Sequence, residues 1–138
     1  MFRRLFSALA LALLAASAGA SSPLIPETIG LHGVTWHSRA GFCNVNPGAY
    51  GIWSNGLTVG TYRNSECSQS FYLGHTWHAD TGPVRWSLTG GGVTGYRAMT
   101  ITPMVLPSAG VGPFRLTYIP RLRKTGAHAF HVALEWRR

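Results

Sequence analysis

Hydrophobic and polar residues alternate along most of the chain beyond residue 20, in short segments that turn residues separate. This two-residue period is typical of β-strands, and no helical stretch interrupts it. The pattern predicts eight strands: Gly30–Arg39, Gly48–Ser54, Gly56–Asn64, Ser70–His78, Pro83–Thr89, Ala98–Leu106, Gly112–Ile119 and Ala127–Arg137. Eight antiparallel strands form the smallest closed barrel that a membrane accommodates.

The faces of the segments indicate a membrane barrel. In the last segment one face holds Phe130, Val132, Leu134 and Trp136, and the other holds Ala129, His131, Ala133 and Glu135. The third and seventh segments also separate an apolar face from a more polar one, and the chain ends on a strand closing with Trp136. A continuous apolar face with aromatic ends is what lipid contact requires. We therefore expect an all-β fold, an eight-stranded antiparallel up-and-down transmembrane β-barrel; the alternative is a soluble periplasmic barrel or sandwich of the lipocalin kind.

The N-terminus has the pattern of a secretory signal. Arg3 and Arg4 precede an apolar run from Leu5 to Ala16, and Ala18-Gly19-Ala20 supplies small residues for cleavage. The run is shorter than the roughly 20 residues of a transmembrane helix. We expect a signal peptide at 1–20, export through the Sec pathway, and a barrel domain at 21–138 in the outer membrane of a Gram-negative cell.

Charge narrows the partners. The chain has 12 basic and 4 acidic residues, and loss of Arg3 and Arg4 leaves 10 against 4, a net charge of +6. In an exported protein this favours anionic lipid headgroups or lipopolysaccharide phosphates as neighbours, and it disfavours nucleic acid. A merely solubilising surface charge is the other interpretation.

Two cysteines, Cys43 and Cys67, follow the first and third segments, so their loops lie at the same end of an up-and-down barrel. A disulfide is possible in an oxidising compartment, and two free thiols are equally compatible with the sequence.

The histidines do not predict a metal site. The pairs His32/His37, His75/His78 and His128/His131 have odd separations, which place the members on opposite faces unless a bulge intervenes. On the inward face of the last strand, Glu135 and His131 are expected to meet Arg115 of the neighbouring strand as a structural pairing.

A more specific candidate site consists of His37, Asn64 and Ser65. The first and third segments end at the same rim of the barrel, so these residues are expected to lie close together. A histidine beside a hydroxyl is the minimum for general-base activation of a nucleophile. Loop-capping roles for these residues are the alternative. The run Gly90-Gly91-Gly92 lacks the Lys and helix of a phosphate loop, and it predicts a bulge or strand end.

Local sequence adds a family resemblance. Thr35-Trp36-His37-Ser38-Arg39, the stretch 103–113 and Leu116-Thr117-Tyr118-Ile119-Pro120 resemble the PagP-type lipid A palmitoyltransferases. The similarity runs in order from about Gly30 to the C-terminus, and its second half is the more specific part.

The resemblance implies transfer of a palmitoyl chain from a phospholipid donor to lipid A by a barrel that needs no cofactor and that we expect to be a monomer. It implies that His37 is the catalytic base and that Asn64 and Ser65 occupy the family's Asp-Ser pair. It also implies that Pro107 and Pro120 flank a lateral lipid gate and that Pro47 marks a second gap. Proline fits these positions because it cannot donate to the strand ladder.

This sequence departs from the family pattern at three points. The family's Asp is Asn64, which leaves catalytic activity in question. The glycine at the floor of the family's acyl pocket aligns with Thr76, whose side chain predicts a shorter pocket and a preference for a chain shorter than palmitoyl. Gly90, Gly91 and Gly92 are expected in the wall of that pocket. The helix that precedes the family's barrel is absent. The alternatives are a non-catalytic outer-membrane barrel, such as a surface shield, an adhesin or a receptor-masking protein, and a lipid A deacylase.

Overall fold

The computed structural model describes residues 24–138; the predicted signal peptide at 1–20 lies outside them. The strands are β1 (Thr28–His37), β2 (Val45–Ile52), β3 (Leu57–Arg63), β4 (Gln69–Thr81), β5 (Val84–Val93), β6 (Thr102–Val111), β7 (Phe114–Ile119) and β8 (Ala129–Arg137). Each strand pairs antiparallel with the next, and β8 pairs with β1, so the sheet closes. The predicted eight-stranded antiparallel barrel is confirmed. Within the described part of the chain, no helix has the length and apolar character needed to cross a membrane.

The predicted boundaries differ most from β4 to β6. Gly90–Gly92 lie inside β5 rather than at a bulge or a strand end. A Cβ on Gly91 would lie 2.6 Å from the Cα of Gly74, its partner on β4, so glycine at these positions allows a close approach of two backbones. β6 begins at Thr102 rather than Ala98, because the preceding loop is closed by an isolated bridge between Tyr96 and Met99.

The two ends of the barrel differ in their connections. Short turns at 53–56, 82–83 and 112–113 lie at the end where β1 begins and β8 finishes, which we call the short-turn end. The connections at 38–44, 64–68, 94–101 and 120–128 lie at the opposite end, the long-loop end. His37, Asn64, Ser65 and both cysteines therefore belong to one rim.

Polarity is inverted relative to a water-soluble domain. The alternation predicted for β3, β7 and β8 is confirmed: Val59, Leu116 and Phe130 are exposed, whereas Thr58, Arg115 and His131 are buried. Outward strand positions carry large apolar residues, among them Leu31, Val34, Val45, Leu57, Leu73, Leu88, Val105, Val111 and Val132. The buried polar residues are Thr28, Thr35, Asn46, Thr58, Asn64, Ser70, Thr76, Thr89, Ser108, Arg115, Thr117 and His131. A water-soluble barrel buries its apolar face, whereas this barrel exposes it.

Aromatic side chains form a band at each end of the outer surface. Toward the long-loop end lie Trp36, Phe71, Tyr118 and Phe130, with the rings of Tyr118 and Phe130 5.4 Å apart. Toward the short-turn end lie Trp77, Trp86, Phe114 and Trp136, each about half exposed. Two such bands bounding an apolar belt are the pattern of outer-membrane barrels.

Candidate functional site

A cavity of about 330 Å³ lies inside the barrel and opens toward the long-loop end. Its walls include apolar and small side chains: Val93, Met104, Leu106, Ala129 and Ala133. The two alanines are the inward residues that the β8 pattern predicted. Their small size leaves the interior space that larger residues would fill.

The cavity also reaches the barrel wall between β6 and β7. These strands pair only from Ser108–Thr117 to Val111–Phe114, which leaves residues 102–107 of β6 without a partner on β7. Val105 faces outward and is 57% exposed, yet it lines the cavity together with Ile119 and Pro120. The cavity therefore has a lateral opening in the wall. Pro107 is the first β6 residue beyond the paired region, and Pro120 follows β7 directly, as expected for residues flanking such a gap.

Pro47 lies at a second interruption. The β1–β2 ladder passes from His32–Gly48 to Val34–Val45, so Pro47 has no partner in it. Pro47 faces outward and does not line the cavity. At Pro47 the ladder therefore has an irregularity rather than a gap, since the Thr35 N–H still donates to the Asn44 carbonyl at 2.8 Å. The cavity opens between β6 and β7.

A layer of polar side chains, the polar layer, closes the cavity below. It consists of Tyr50, Thr58, Thr76, Thr89, Ser108, Arg115 and Glu135. Arg115 Nη1 donates to Glu135 Oε1 at 2.6 Å, which confirms the expected contact between these two residues, and Arg115 Nη2 donates to Thr89 and Ser108. His131 was also expected to meet Arg115, but its ring nitrogens contact Thr35 and His32 instead. Members of the layer lie from four residues (Thr89) to seven residues (Thr76) from the rim ends of their strands, so at ~3.3 Å per residue and a tilt of ~40° the space above the layer is about 10–18 Å deep.

The residues predicted for the acyl pocket do not line the main cavity, although Thr76 belongs to the polar layer beneath it. Thr76 is buried and bonds to Thr58 at 2.7 Å and Thr89 at 2.9 Å, and it lines a second cavity on the short-turn side of the polar layer. Gly90 and Gly92 lie on the outer face, next to Trp77 and Ile101, and none of the three glycines lines the main cavity. Its floor is formed by Thr58, Thr89, Arg115 and Tyr50 instead.

His37 lines the mouth of the cavity. It ends β1, its Nδ1 lies 2.7 Å from Asn44 Oδ1, and its ring stacks on Phe42 at 4.9 Å between centroids. Because amide oxygens accept hydrogen bonds, Nδ1 carries the proton in this contact and Nε2 is the basic nitrogen. The histidine is thus oriented by a neutral amide from the β1–β2 loop.

Asn64 does not contact His37. Its side chain is fully buried: Nδ2 donates to Ser70 Oγ and to the carbonyl of Gly95, and Oδ1 accepts from the backbone N–H of Glu66 and Ser68. All of its hydrogen-bonding capacity is used in holding the β3–β4 loop against the β5–β6 loop and the start of β4. The loop-capping alternative describes this residue.

Ser65 lines the cavity, as His37 does, but His37 bonds to Asn44 rather than to Ser65. The Ser65 carbonyl accepts from the backbone N–H of Cys43, which joins the two loops beside the disulfide. Cys43 and Cys67 are bonded, with Cα atoms 5.5 Å apart, so the structure decides between the two alternatives that the sequence left open.

A bulge in β1 changes which histidines share a face. Gly33 is an extra residue relative to β8, because the pairing passes from His32–Ala133 to Val34–Val132. Both His32 and His37 therefore face the interior, despite their odd separation, and both line the cavity with His131. Their odd separation had predicted opposite faces of the strand. Glycine inside the strand pattern was the available signal of a bulge. Among residues 24–138, no group of three His, Cys, Asp or Glu side chains could hold a metal ion.

Basic residues crowd the rim around the mouth. Arg39, Arg63, Arg97, Arg121, Arg123 and Lys124 lie at the long-loop end, against one carboxylate, Glu66. Two of them tie the loops together: Arg39 Nη1 donates to the Lys124 carbonyl at 2.9 Å, and Arg123 donates to that of Ala98. In the described chain, the three ion pairs (Arg85–Asp80, Arg115–Glu135 and Arg137–Glu27) all lie away from this rim.

No protein-family model, no curated protein and no solved structure matches the chain. The site is therefore described by its own geometry: an interior cavity with a lateral opening, a histidine and a serine at its mouth, and a cationic rim.

Proposed function

We propose that the protein is an outer-membrane acyltransferase that takes an acyl chain from a glycerophospholipid and passes it to lipid A. The observation that carries this proposal is the cavity that opens sideways between β6 and β7 with His37 in its wall. A lateral opening lets one chain of a membrane lipid enter while its headgroup stays at the surface. In that arrangement the ester lies near the mouth, within reach of a histidine.

The outer surface and the rim support the same location. An apolar belt between two aromatic bands suits a bilayer, and outer-membrane barrels keep their short turns on the periplasmic side. The mouth and the basic rim then face the outer leaflet, where lipid A carries phosphates that arginine binds well. His37 would remove the proton from the acceptor hydroxyl through Nε2.

Depth favours an acyl chain shorter than palmitoyl. The polar layer stands about 10–18 Å below the rim, which is less than the length of an extended sixteen-carbon chain. Arg115 and Glu135 make that floor unsuitable for a methyl end, because they would lose their partners if the chain displaced them.

The test is mass spectrometry of lipid A from Gram-negative cells that express the wild-type chain, His37→Ala or His128→Ala. We expect one acyl increment with the wild type and none with His37→Ala. His128 is the matched control, since it lies at the same rim but bonds to Tyr118 and does not line the cavity. An unchanged lipid A spectrum, with folded wild-type protein in the outer membrane, would contradict the proposal, and a lighter lipid A would indicate a deacylase.

A second candidate is a non-catalytic outer-membrane barrel. The position of Asn64 favours it, because the side chain of Asn64 forms its hydrogen bonds with loop residues and none with His37. In that case His37→Ala leaves both the lipid A spectrum and the phenotype of the protein unchanged.

A further inference from the structure

Four side chains in the cavity wall form a continuous hydrogen-bonded chain. Thr35 Oγ1 lies 2.8 Å from His131 Nδ1, His131 Nε2 lies 2.9 Å from His32 Nδ1, and His32 Nε2 lies 2.9 Å from the Tyr72 hydroxyl. All four residues line the cavity, and Thr35, Tyr72 and His131 are less than a tenth exposed. The acyl transfer proposed above does not require these four hydrogen-bonded residues.

The fold builds the chain from adjacent strands. Thr35 and His131 are direct partners in the β1–β8 ladder, so their inward side chains lie side by side. The bulge at Gly33 turns His32 to the same interior, where its ring lies 4.7 Å from that of Tyr50 and 5.1 Å from that of Tyr62. These rings fix the orientation of His32, and His32 in turn fixes His131.

The hydrogen bonds can all run in one direction with both imidazoles neutral. Thr35 then donates to His131 Nδ1, His131 donates through Nε2 to His32, and His32 donates through Nε2 to the Tyr72 oxygen. A hydroxyl donating to a histidine whose second nitrogen is held by another group is the arrangement that activates a nucleophile. The need to pair polar groups in a barrel interior explains why these hydrogen bonds form. It does not explain why the four residues line a cavity that a lipid can enter.

From this geometry, and resting on the proposed function, we propose that Thr35 is acylated during the reaction, with His131 as its general base. Thr35 Oγ1 attacks the ester carbonyl of the donor as its proton passes to His131 Nδ1. The bond to the glycerol oxygen breaks, and that oxygen takes the proton from His131. The products are acyl-Thr35 and a lysophospholipid.

The second half of the reaction uses the neighbouring histidine. His37 is two residues along β1 on the same face, about 7 Å from Thr35 and nearer the mouth. It takes the proton of the acceptor hydroxyl, whose oxygen attacks the acyl-Thr35 carbonyl. The Thr35–acyl bond breaks, and the proton returns to Thr35, so the enzyme is regenerated without a co-reactant. His32 and Tyr72 act as positioning residues, because they touch His131 or His32 and not the ester.

The experiment uses the full barrel refolded in detergent micelles with didecanoylphosphatidylcholine, whose acyl chains are shorter than palmitoyl, with and without lipid A as acceptor. Intact-protein mass spectrometry should show one decanoyl increment, mapped by peptide analysis to Thr35, and His37→Ala should accumulate it. Thr35→Val should lack the increment and transfer at least ~100-fold more slowly, whereas Thr35→Ser, which keeps the hydroxyl, should retain both. Tyr72→Phe should lower kcat at unchanged KM when the rate is expressed per folded barrel, so that a loss of folded protein is not counted as a loss of turnover. Heat-modifiable gel mobility verifies that each variant is folded.

The outcomes separate the two proposals. Transfer to lipid A at the wild-type rate by Thr35→Val, with no acyl-protein in His37→Ala, overturns the role of Thr35 and leaves the proposed function standing. An increment on Thr35 with no transfer to lipid A supports Thr35 and overturns the acceptor. Neither an increment nor transfer by folded wild-type protein overturns both.

Discussion

At the scale of single residues, the structure distinguishes polar side chains that serve the loops from those that serve the cavity. Asn64 and Ser65 are adjacent in sequence, but Asn64 is buried in the β3–β4 loop and Ser65 lines the cavity. Asn44, which the sequence analysis did not single out, is the amide that contacts His37. If a carboxylate is to orient His37, position 44 is the place for it.

Asn64→Asp is expected to destabilise the protein without increasing acyl transfer. The carboxylate loses both amide donors and sets an oxygen against the Gly95 carbonyl, which now lies 2.9 Å from Nδ2. Loss of buried hydrogen bonds of this kind costs about 1–3 kcal/mol in the free energy of unfolding. Urea unfolding of the barrel in micelles measures this loss.

Asn44→Asp is the matched control, because it makes the same substitution at an exposed site. We expect its free energy of unfolding to change by less than about 0.5 kcal/mol, while the new carboxylate accepts the bond from His37. A stable and more active Asn64→Asp would show that position 64 has the family-like role after all.

At the scale of strands, alternation was sufficient to predict the number of strands and their inward faces. Successive side chains of a strand point to opposite faces, so an apolar outer face and a polar inner face produce a two-residue period in the sequence. It could not reveal the bulge at Gly33, because a one-residue insertion in β1 is defined only by the register with β8. The pairing of His32 with His131 depends on that register, and so the hydrogen-bonded chain could not be predicted.

The gap between β6 and β7 was predicted through the family resemblance, and Pro107 fits it because proline has no N–H for the ladder. Its relation to the cavity was not, because the cavity depends on side chains from all eight strands. The floor was predicted only in part: Thr76 lies in the polar layer, but the sequence did not indicate that Arg115 reaches across to Thr89, Ser108 and Glu135 to complete it.

Replacing both gate prolines with valine is expected to slow the reaction. Pro107→Val with Pro120→Val supplies two N–H donors and lets the β6–β7 ladder extend beyond Ser108–Thr117, which narrows the lateral opening. We expect kcat/KM for the phospholipid donor to fall about tenfold or more, which corresponds to about 1.4 kcal/mol in activation free energy. The measurement is initial rates of transfer in micelles of defined lipid content.

Pro47→Val serves as the comparison, since Pro47 lies at the β1–β2 interruption and outside the cavity lining. It should leave kcat/KM unchanged. If Pro47→Val slows transfer and the gate double variant does not, the donor enters between β1 and β2 instead.

At the scale of the whole molecule, the barrel is apolar outside and polar inside, and six of the ten cationic side chains among residues 24–138 lie at the long-loop end. In water, Leu31, Leu73 and Val105 would be exposed to solvent, which is unfavourable for apolar side chains. Contact with the hydrocarbon of a bilayer removes this free-energy cost. The same inversion explains why Arg115 and Glu135 are held in pairs inside, where an unpaired charge would be far more costly than in water. Under the membrane location proposed above, both surfaces have the same cause.

Leu73→Arg tests that location. Leu73 is 60% exposed on β4, between Phe71 of one aromatic band and Trp77 of the other, and so it lies near the middle of the apolar belt. An arginine at the bilayer midplane costs about 2–4 kcal/mol, whereas one near the interface costs about 0–1 kcal/mol. Val111→Arg is the control, because Val111 is a similarly exposed outward residue beside the short turn at 112–113. Unfolding of both variants in phospholipid vesicles should therefore separate them by about 2 kcal/mol. Equal stability of the two variants would mean that the belt does not contact lipid, and the soluble lipocalin-like alternative would then take precedence.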